Sequence, residues 1–150
     1  MKSLIFKSFI FLIILFVFGA CCGFFGDNDL GDNFSVLEGD RIEDRAIVYC
    51  TEKSGRCCYS GIPVLPSRTD SLTSYVINAN SDKGWIVAKT KRKNGAYDFW
   101  IINKDFKTEF KYDDGGKLYE TIQTHVVGPL SELEFTRQVE ERHISINFKK

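Results

Sequence analysis

The sequence predicts an α+β fold: a largely antiparallel β-sheet of hairpins and meander, one C-terminal amphipathic helix and an N-terminal signal helix. Three observations predict it. Short apolar runs with period two, rich in aromatic and β-branched residues, recur from Phe34 onward. Asn94-Gly95 separates two such runs and is the strongest short hairpin signal available. Ser131 and Glu134 have the spacing of a capping box ahead of an amphipathic stripe.

In chain order, residues 1–20 read as a signal peptide. Lys2 and Lys7 supply a positive start, Ser8 to Phe18 is apolar after its leading serine, and Gly19-Ala20 are the small residues a signal peptidase needs. The box Phe18-Gly19-Ala20-Cys21 resembles that of bacterial lipoproteins, with Phe18 where Leu is usual. The resemblance implies lipidation of Cys21. Plain secretion and a retained span stay open, because Ser8 through Gly26 carries no charge and is long enough to cross a bilayer.

Residues 21–33 read as a lipidated, flexible tether rich in Gly, Asp and Asn. Asp27, Asp29 and Glu38 fall at EF-hand positions 1, 3 and 12, but Gly31 and Asp32 reverse the order that the loop requires. Residues 34–150 then form a single β-rich domain. Phe34–Leu37 is a short strand. Arg45–Cys50 is apolar on both alternating faces and reads as a central strand. Cys57–Pro66 contains Pro63, which confines it to an edge or an irregular crossing.

Thr73–Ala79, Trp85–Thr90 and Ala96–Asn103 read as two successive hairpins. In the last of these, Tyr97, Phe99 and Ile101 alternate with Trp100 and Ile102, so both faces need cover. Asp105 to Val127 carries the weakest pattern, with a strand read over Leu118–Val127. Leu130 and Phe135 take the staple positions around the Ser131 cap, and the helix is expected to run to Arg142. Ile144, Ile146 and Phe148 alternate with polar residues and read as a closing strand.

Composition excludes several functions. Lys+Arg and Asp+Glu each number 20, and loss of residues 1–20 would remove Lys2 and Lys7 but no acid. Nucleic acid, which demands a strongly basic surface, is therefore not an expected partner. Thirteen Phe, six Tyr and two Trp against three Pro favour a packed domain over a disordered stalk.

The chemistry-bearing residues are sparse. With Cys21 acylated, Cys22, Cys50, Cys57 and Cys58 remain. In an oxidising compartment Cys50 can bridge to Cys57 or Cys58, and free thiols are the alternative. No metal-ligand spacing or cofactor motif is present, so no metal or cofactor is expected. His125 and His143 are read as surface or helix-end residues. Asp113-Asp114 is read as a glycine turn, and Lys89–Lys93 as a solvated, edge-protecting run.

The order of parts loosely resembles small exported bacterial proteins of unknown function, often lipoproteins. The resemblance rests on Tyr97-Asp98-Phe99-Trp100-Ile101-Ile102 and on Gly128-Pro129-Leu130-Ser131-Glu132-Leu133-Glu134-Phe135. It implies a fold and an exported compartment but no activity. The expectation is an envelope protein anchored to a bacterial membrane, inner or outer, by lipid on Cys21. It would be a non-enzymatic binding or accessory protein, immunity proteins among the options, with a protein partner in the envelope. The alternatives are an envelope hydrolase assembled from distant residues such as His125 and Asp113, and a structural spacer.

Overall fold

The computed structural model of the chain describes residues 29–51, 61–70, 73–105 and 115–148. These residues form an α+β fold of two antiparallel four-stranded sheets and two helices, where the sequence had suggested one main sheet and one helix besides the signal. Residues 1–20, where a signal helix is expected from the sequence, lie outside the described residues.

The first sheet runs in chain order through β1 (Asp29–Gly31), β2 (Phe34–Leu37), β3 (Ala46–Cys50) and β4 (Gly61–Leu65). Part of the stretch read as tether thus belongs to the fold: Leu30 on β1 is buried in the core. The β1–β2 turn is made by Gly31, Asp32 and Asn33, all at positive φ, and Asp29 Oδ1 accepts from the Gly31 amide at 2.8 Å. Asp and Asn tolerate that conformation better than most side chains. β3 is central, with Ile47 and Tyr49 buried on one face and Val48 and Cys50 on the other. β4 takes the edge, where the missing Pro63 amide costs no ladder bond.

The second sheet runs through β5 (Ser74–Ser81), β6 (Trp85–Arg92), β7 (Tyr97–Asn103) and β8 (Val126–Leu130). The β6–β7 connection uses Asn94-Gly95 as anticipated. The Gly95 amide donates to the Arg92 carbonyl at 2.9 Å, and Gly95 alone in that turn has positive φ. Asn94 Oδ1 accepts from the Ala96 amide at 3.0 Å. A turn closed this way, with a left-handed glycine at its end, fixes the register that pairs Thr90 with Asp98 and Ala88 with Trp100.

Period two then builds a layered core. Val76, Ile86, Ala88 and Ile102 face the first sheet and meet Leu30, Phe34, Val36, Ile47, Tyr49, Ile62, Val64 and Leu65. Val87 and Ile101 face the opposite way. Ile86, Ile101 and Ile102 are wholly buried, each contributing about 1.5–3 kcal/mol. The second sheet is therefore the middle layer.

The strand read over Leu118–Val127 is a correction. Helix α1 occupies Gly115–Thr124 and only Val126–Leu130 is extended. Leu118 and Ile122, one helical turn apart, both drop into the core between the sheets. That burial overrides the strand preference of Thr121, Ile122 and Thr124. From α1, Gln123 Nε2 donates to the Val64 carbonyl at 3.3 Å, covering part of the β4 edge.

Helix α2 (Glu132–Glu141) begins as anticipated. Ser131 Oγ accepts from the Glu134 amide, and Glu134 accepts from the Ser131 amide at 3.0 Å. It ends in a Schellman motif. The His143 amide donates to the Glu140 carbonyl at 3.0 Å and the Ile144 amide to the Val139 carbonyl at 2.9 Å, with His143 at φ 54°. The closing strand is also corrected. Residues 144–148 are not laddered, yet their alternation is used: Ile144 and Ile146 are buried beside Val87 and Ile101. Phe148 stacks on Phe135 at 5.6 Å, and both rings lie near Phe99. Asn80 Nδ2 donates to the Asn147 carbonyl at 2.6 Å, tying this tail to β5.

Polar contacts join the sheets at their margins. The Val76 amide of β5 donates to the Arg45 carbonyl at 3.0 Å. Lys104, with 3 % of its side chain exposed, donates to the Leu30 carbonyl at 2.8 Å and pairs with Asp32 at 3.2 Å.

Candidate functional site

The inward face of the second sheet extends past the apolar core, and there it turns polar. Along β6 that face carries Ile86, Ala88, Thr90 and Arg92. Along β7 it carries Ile102, Trp100 and Asp98. Arg92 at the end of β6 and Asp98 and Trp100 near the start of β7, with Thr73 just before β5, Ser74 at its first position and Pro129 of β8, enclose a cleft of about 320 Å³. Asp70 completes its lining.

Register places each group. Arg92 and Asp98 are diagonal neighbours on one face of the β6–β7 hairpin. The guanidinium forks onto the carboxylate, Nε to Oδ2 at 2.6 Å and Nη2 to Oδ1 at 2.8 Å. The Asp98 side chain is 13 % exposed and that of Arg92 47 %. Asp98 therefore anchors the pair while Arg92 presents an open flank to the cleft. The hydrogen bonds and then the charge of Asp98 raise Arg92 above its ordinary value, against an opposing effect of burial that exceeds the lesser help from Asp70. The guanidinium is a permanent cation here.

Trp100 forms the aromatic wall. Its indole Nε1 donates to Thr90 Oγ1 at 2.9 Å, and Thr90 is wholly buried. Gly128, at φ 145°, presses its main chain against the ring. A side chain there would collide with the indole, so glycine is the residue that lets β8 approach.

The rim is held by Asp70. Its carbonyl accepts from the amides of Thr73 (2.9 Å) and Ser74 (3.1 Å) and from the hydroxyls of Thr73 (3.0 Å) and Ser74 (3.4 Å). Asp70 Oδ2 accepts from Ser67 Oγ at 2.7 Å. The Lys93 amide donates to the Thr73 carbonyl at 2.9 Å, joining the hairpin end to this rim.

The run Lys89–Lys93 is corrected by this arrangement. β6 lies between β5 and β7 and is not an edge. Thr90 and Arg92 point into the cleft side, and Lys89 lies over the Tyr97 and Phe99 rings on the outer face, at 4.3 and 5.0 Å. Sequence reasoning singled out Trp100 as needing cover but missed the cleft. The signal was present in the alternation Thr90-Lys91-Arg92 and Asp98-Phe99-Trp100 around Asn94-Gly95, which sets Arg92 diagonal to Asp98.

The other candidates fall as follows. Cys50, 1 % exposed, is disulfide-bonded, and Cys57 and Cys58 lie outside the described residues. Cys21 and Cys22 also lie outside them. Of the hydrolase pair, His125 sits between α1 and β8, whereas Asp113 is outside the described residues. His143 closes α2 at its left-handed position. Asp29 and Asp32 of the would-be calcium loop serve the β1–β2 turn and Lys104. Among the described residues no group of three or more His, Cys, Asp or Glu could hold a metal ion, and no helix is long and apolar enough to cross a membrane.

In the cleft, both Asp98 oxygens are committed to Arg92, and the Thr73 and Ser74 hydroxyls donate to a main-chain carbonyl. These groups are held in place by their own hydrogen bonds. None forms a nucleophile–base pair of the kind acyl or glycosyl transfer requires. The chain matches no protein-family model, no curated protein and no solved structure.

Proposed function

We propose that the protein is an exported lipoprotein, anchored to a bacterial membrane through Cys21, that acts by binding in an accessory role without catalysis. One observation carries the binding part: the cleft between Trp100, the Arg92–Asp98 fork and the Asp70 rim holds its polar groups in fixed positions, and the described residues set no activated nucleophile there. The anchor rests on Phe18-Gly19-Ala20-Cys21 following an apolar run. An immunity role belongs to the same class, since it also needs a recognition surface and no reaction.

In this reading Cys50 pairs with Cys57 or Cys58, seven or eight residues further along the chain, which suits an oxidising compartment and the bonded state of Cys50. Peptide mapping without reduction identifies the partner. The deciding experiment for the address is metabolic labelling with a palmitate analogue. Label is expected in the wild type and lost in Cys21→Ser, and label that survives the substitution sinks the anchor. For the binding role, the tagged full chain is used to retain partners from envelope extracts. A partner retained by wild type and lost in Arg92→Glu supports the cleft, whereas turnover of an envelope substrate by the pure chain would replace this reading with the hydrolase.

A further inference from the structure

We propose that the cleft takes a neutral saccharide, a single sugar ring or the end of a short glycan. This rests on the reading of the cleft as a binding site and specifies its ligand. Size sets the first limit. Ligand pockets span about 300–1,000 Å³, and a cleft of about 320 Å³ stands at the small end.

Charge sets the second limit. Among the described residues the lining holds one guanidinium and two carboxylates. Arg92 and Asp98 neutralise one another through a two-bond fork. A multiply charged anion such as a phosphate would meet Asp70 and Asp98 with a single cation that is already engaged. A polycation would meet the open flank of Arg92, with Asp70 as the one carboxylate not paired to a cation to draw it in. An uncharged ligand avoids both conflicts.

Hydrogen-bond chemistry sets the third. Asp70 accepts through Oδ1, the oxygen Ser67 does not use, Arg92 donates through Nη1, the nitrogen outside the fork, and the Thr73 and Ser74 hydroxyls spend their protons on the Asp70 carbonyl while keeping lone pairs as acceptors. Such a rim suits a ligand whose every polar group both donates and accepts, and vicinal hydroxyls do so. The opposite wall is Trp100 and Pro129, an apolar surface with no polar demand, since the indole N–H is already satisfied by Thr90. A pyranose ring has both faces of this chemistry: hydroxyls at its edge and C–H groups above and below. The wall and the fork are also locked before any ligand arrives, by Thr90, Gly128 and Asp98, which lowers the ordering cost of binding.

The chain has two tryptophans, which makes the test direct. Trp85 packs against the outer cluster, on the far face of the same sheet, and serves as an internal reference. The full chain, labelled with nitrogen-15 at tryptophan and held in detergent micelles, is titrated in turn with cellotriose, tri-N-acetylglucosamine, inorganic phosphate and spermine. Trp85→Phe assigns the two indole signals. The expected result is a saturable shift of the Trp100 signal, and not of Trp85, with at least one saccharide at millimolar concentration. Asp70→Asn should weaken that affinity about tenfold, the loss of one hydrogen bond to a charged group. Thr73→Ala provides a second variant if Asp70→Asn melts early.

A Trp100 signal silent to both saccharides overturns the proposal, as does a shift that both variants leave unchanged. A response to phosphate or spermine alone overturns the saccharide class and leaves a binding cleft. A silent Trp100 in a chain that still retains an envelope partner through Arg92 likewise ends the saccharide and spares the binding role. Silence together with an empty pull-down ends both.

Discussion

Gly128 holds its main chain so close to Trp100 that a Cβ there would lie 2.9 Å from indole Cδ2 and from the Phe99 carbonyl oxygen, and closer still to Cε3. Neither neighbour can yield, since one is backbone and the other a ring hydrogen-bonded to Thr90. Its φ of 145° also lies where side chains are rarely accommodated. Gly128→Ala is expected to lower stability by about 3 kcal/mol, from overpacking and backbone strain together. Urea unfolding monitored by tryptophan fluorescence measures it, and a loss under about 1 kcal/mol would mean that β8 can retreat from the indole.

Thr90 offers a cleaner probe of the same wall. Thr90→Val keeps the shape and removes the acceptor for the Trp100 indole, leaving a half-buried donor without that partner. The expected cost is about 0.5–1.5 kcal/mol. Thermal melting read by near-ultraviolet circular dichroism would show it, and an unchanged midpoint would mean that water takes over the indole N–H.

His143 occupies the left-handed position that closes α2, a place where glycine is the usual residue. The backbone bonds of the motif do not depend on its side chain. His143→Gly should therefore raise stability by about 0.5–1 kcal/mol, the relief of left-handed strain exceeding the greater freedom of glycine in the unfolded chain. A urea midpoint that falls instead would show that the imidazole makes a stabilising contact.

Acid should erode the start of the same helix. Hydrogen bonds from the Ser131 amide and then the Ser131 hydroxyl hold the Glu134 carboxyl below its ordinary value of 4.5, with a smaller contribution from Arg137. A carboxyl depressed on folding binds its proton more weakly in the native state. Its stabilisation is thus complete above the unfolded value and disappears as pH falls through the lower, folded one. The difference in urea midpoint between wild type and Glu134→Gln should be largest near neutrality and narrow toward pH 3. A gap that widens on acidification would contradict the sign.

How far the chain could be read in advance follows from how local each signal is. The α2 start was legible because Ser131, Glu134, Leu130 and Phe135 act within a single turn. The Asn94-Gly95 hairpin was legible for the same reason. Helix α1 was hidden because its β-branched residues favour a strand until Leu118 and Ile122 find a core supplied by residues far away in sequence. The two-sheet layering was hidden too, since alternating strands do not announce which sheet they join. The cleft needed three separate pieces of chain, around Asp70, across Arg92 to Trp100 and at Pro129, and only the middle piece is local.

Lys104 gives the fold a mechanical property. The chain enters the described domain through β1, an edge strand three residues long, so tension on the segment before Asp29 would peel the first sheet open from its margin. The ammonium of Lys104 grips the Leu30 carbonyl and Asp32 from the end of β7, and so acts as a rivet between the sheets. Load arriving at β1 would then reach the middle layer as well as the outer one. Lys104→Met, which keeps the stem and loses the grip, should speed amide exchange in β1 and β2 while leaving β6 and β7 slow. For a domain hung by its N-terminus, one buried lysine would set how hard it can be pulled before it opens.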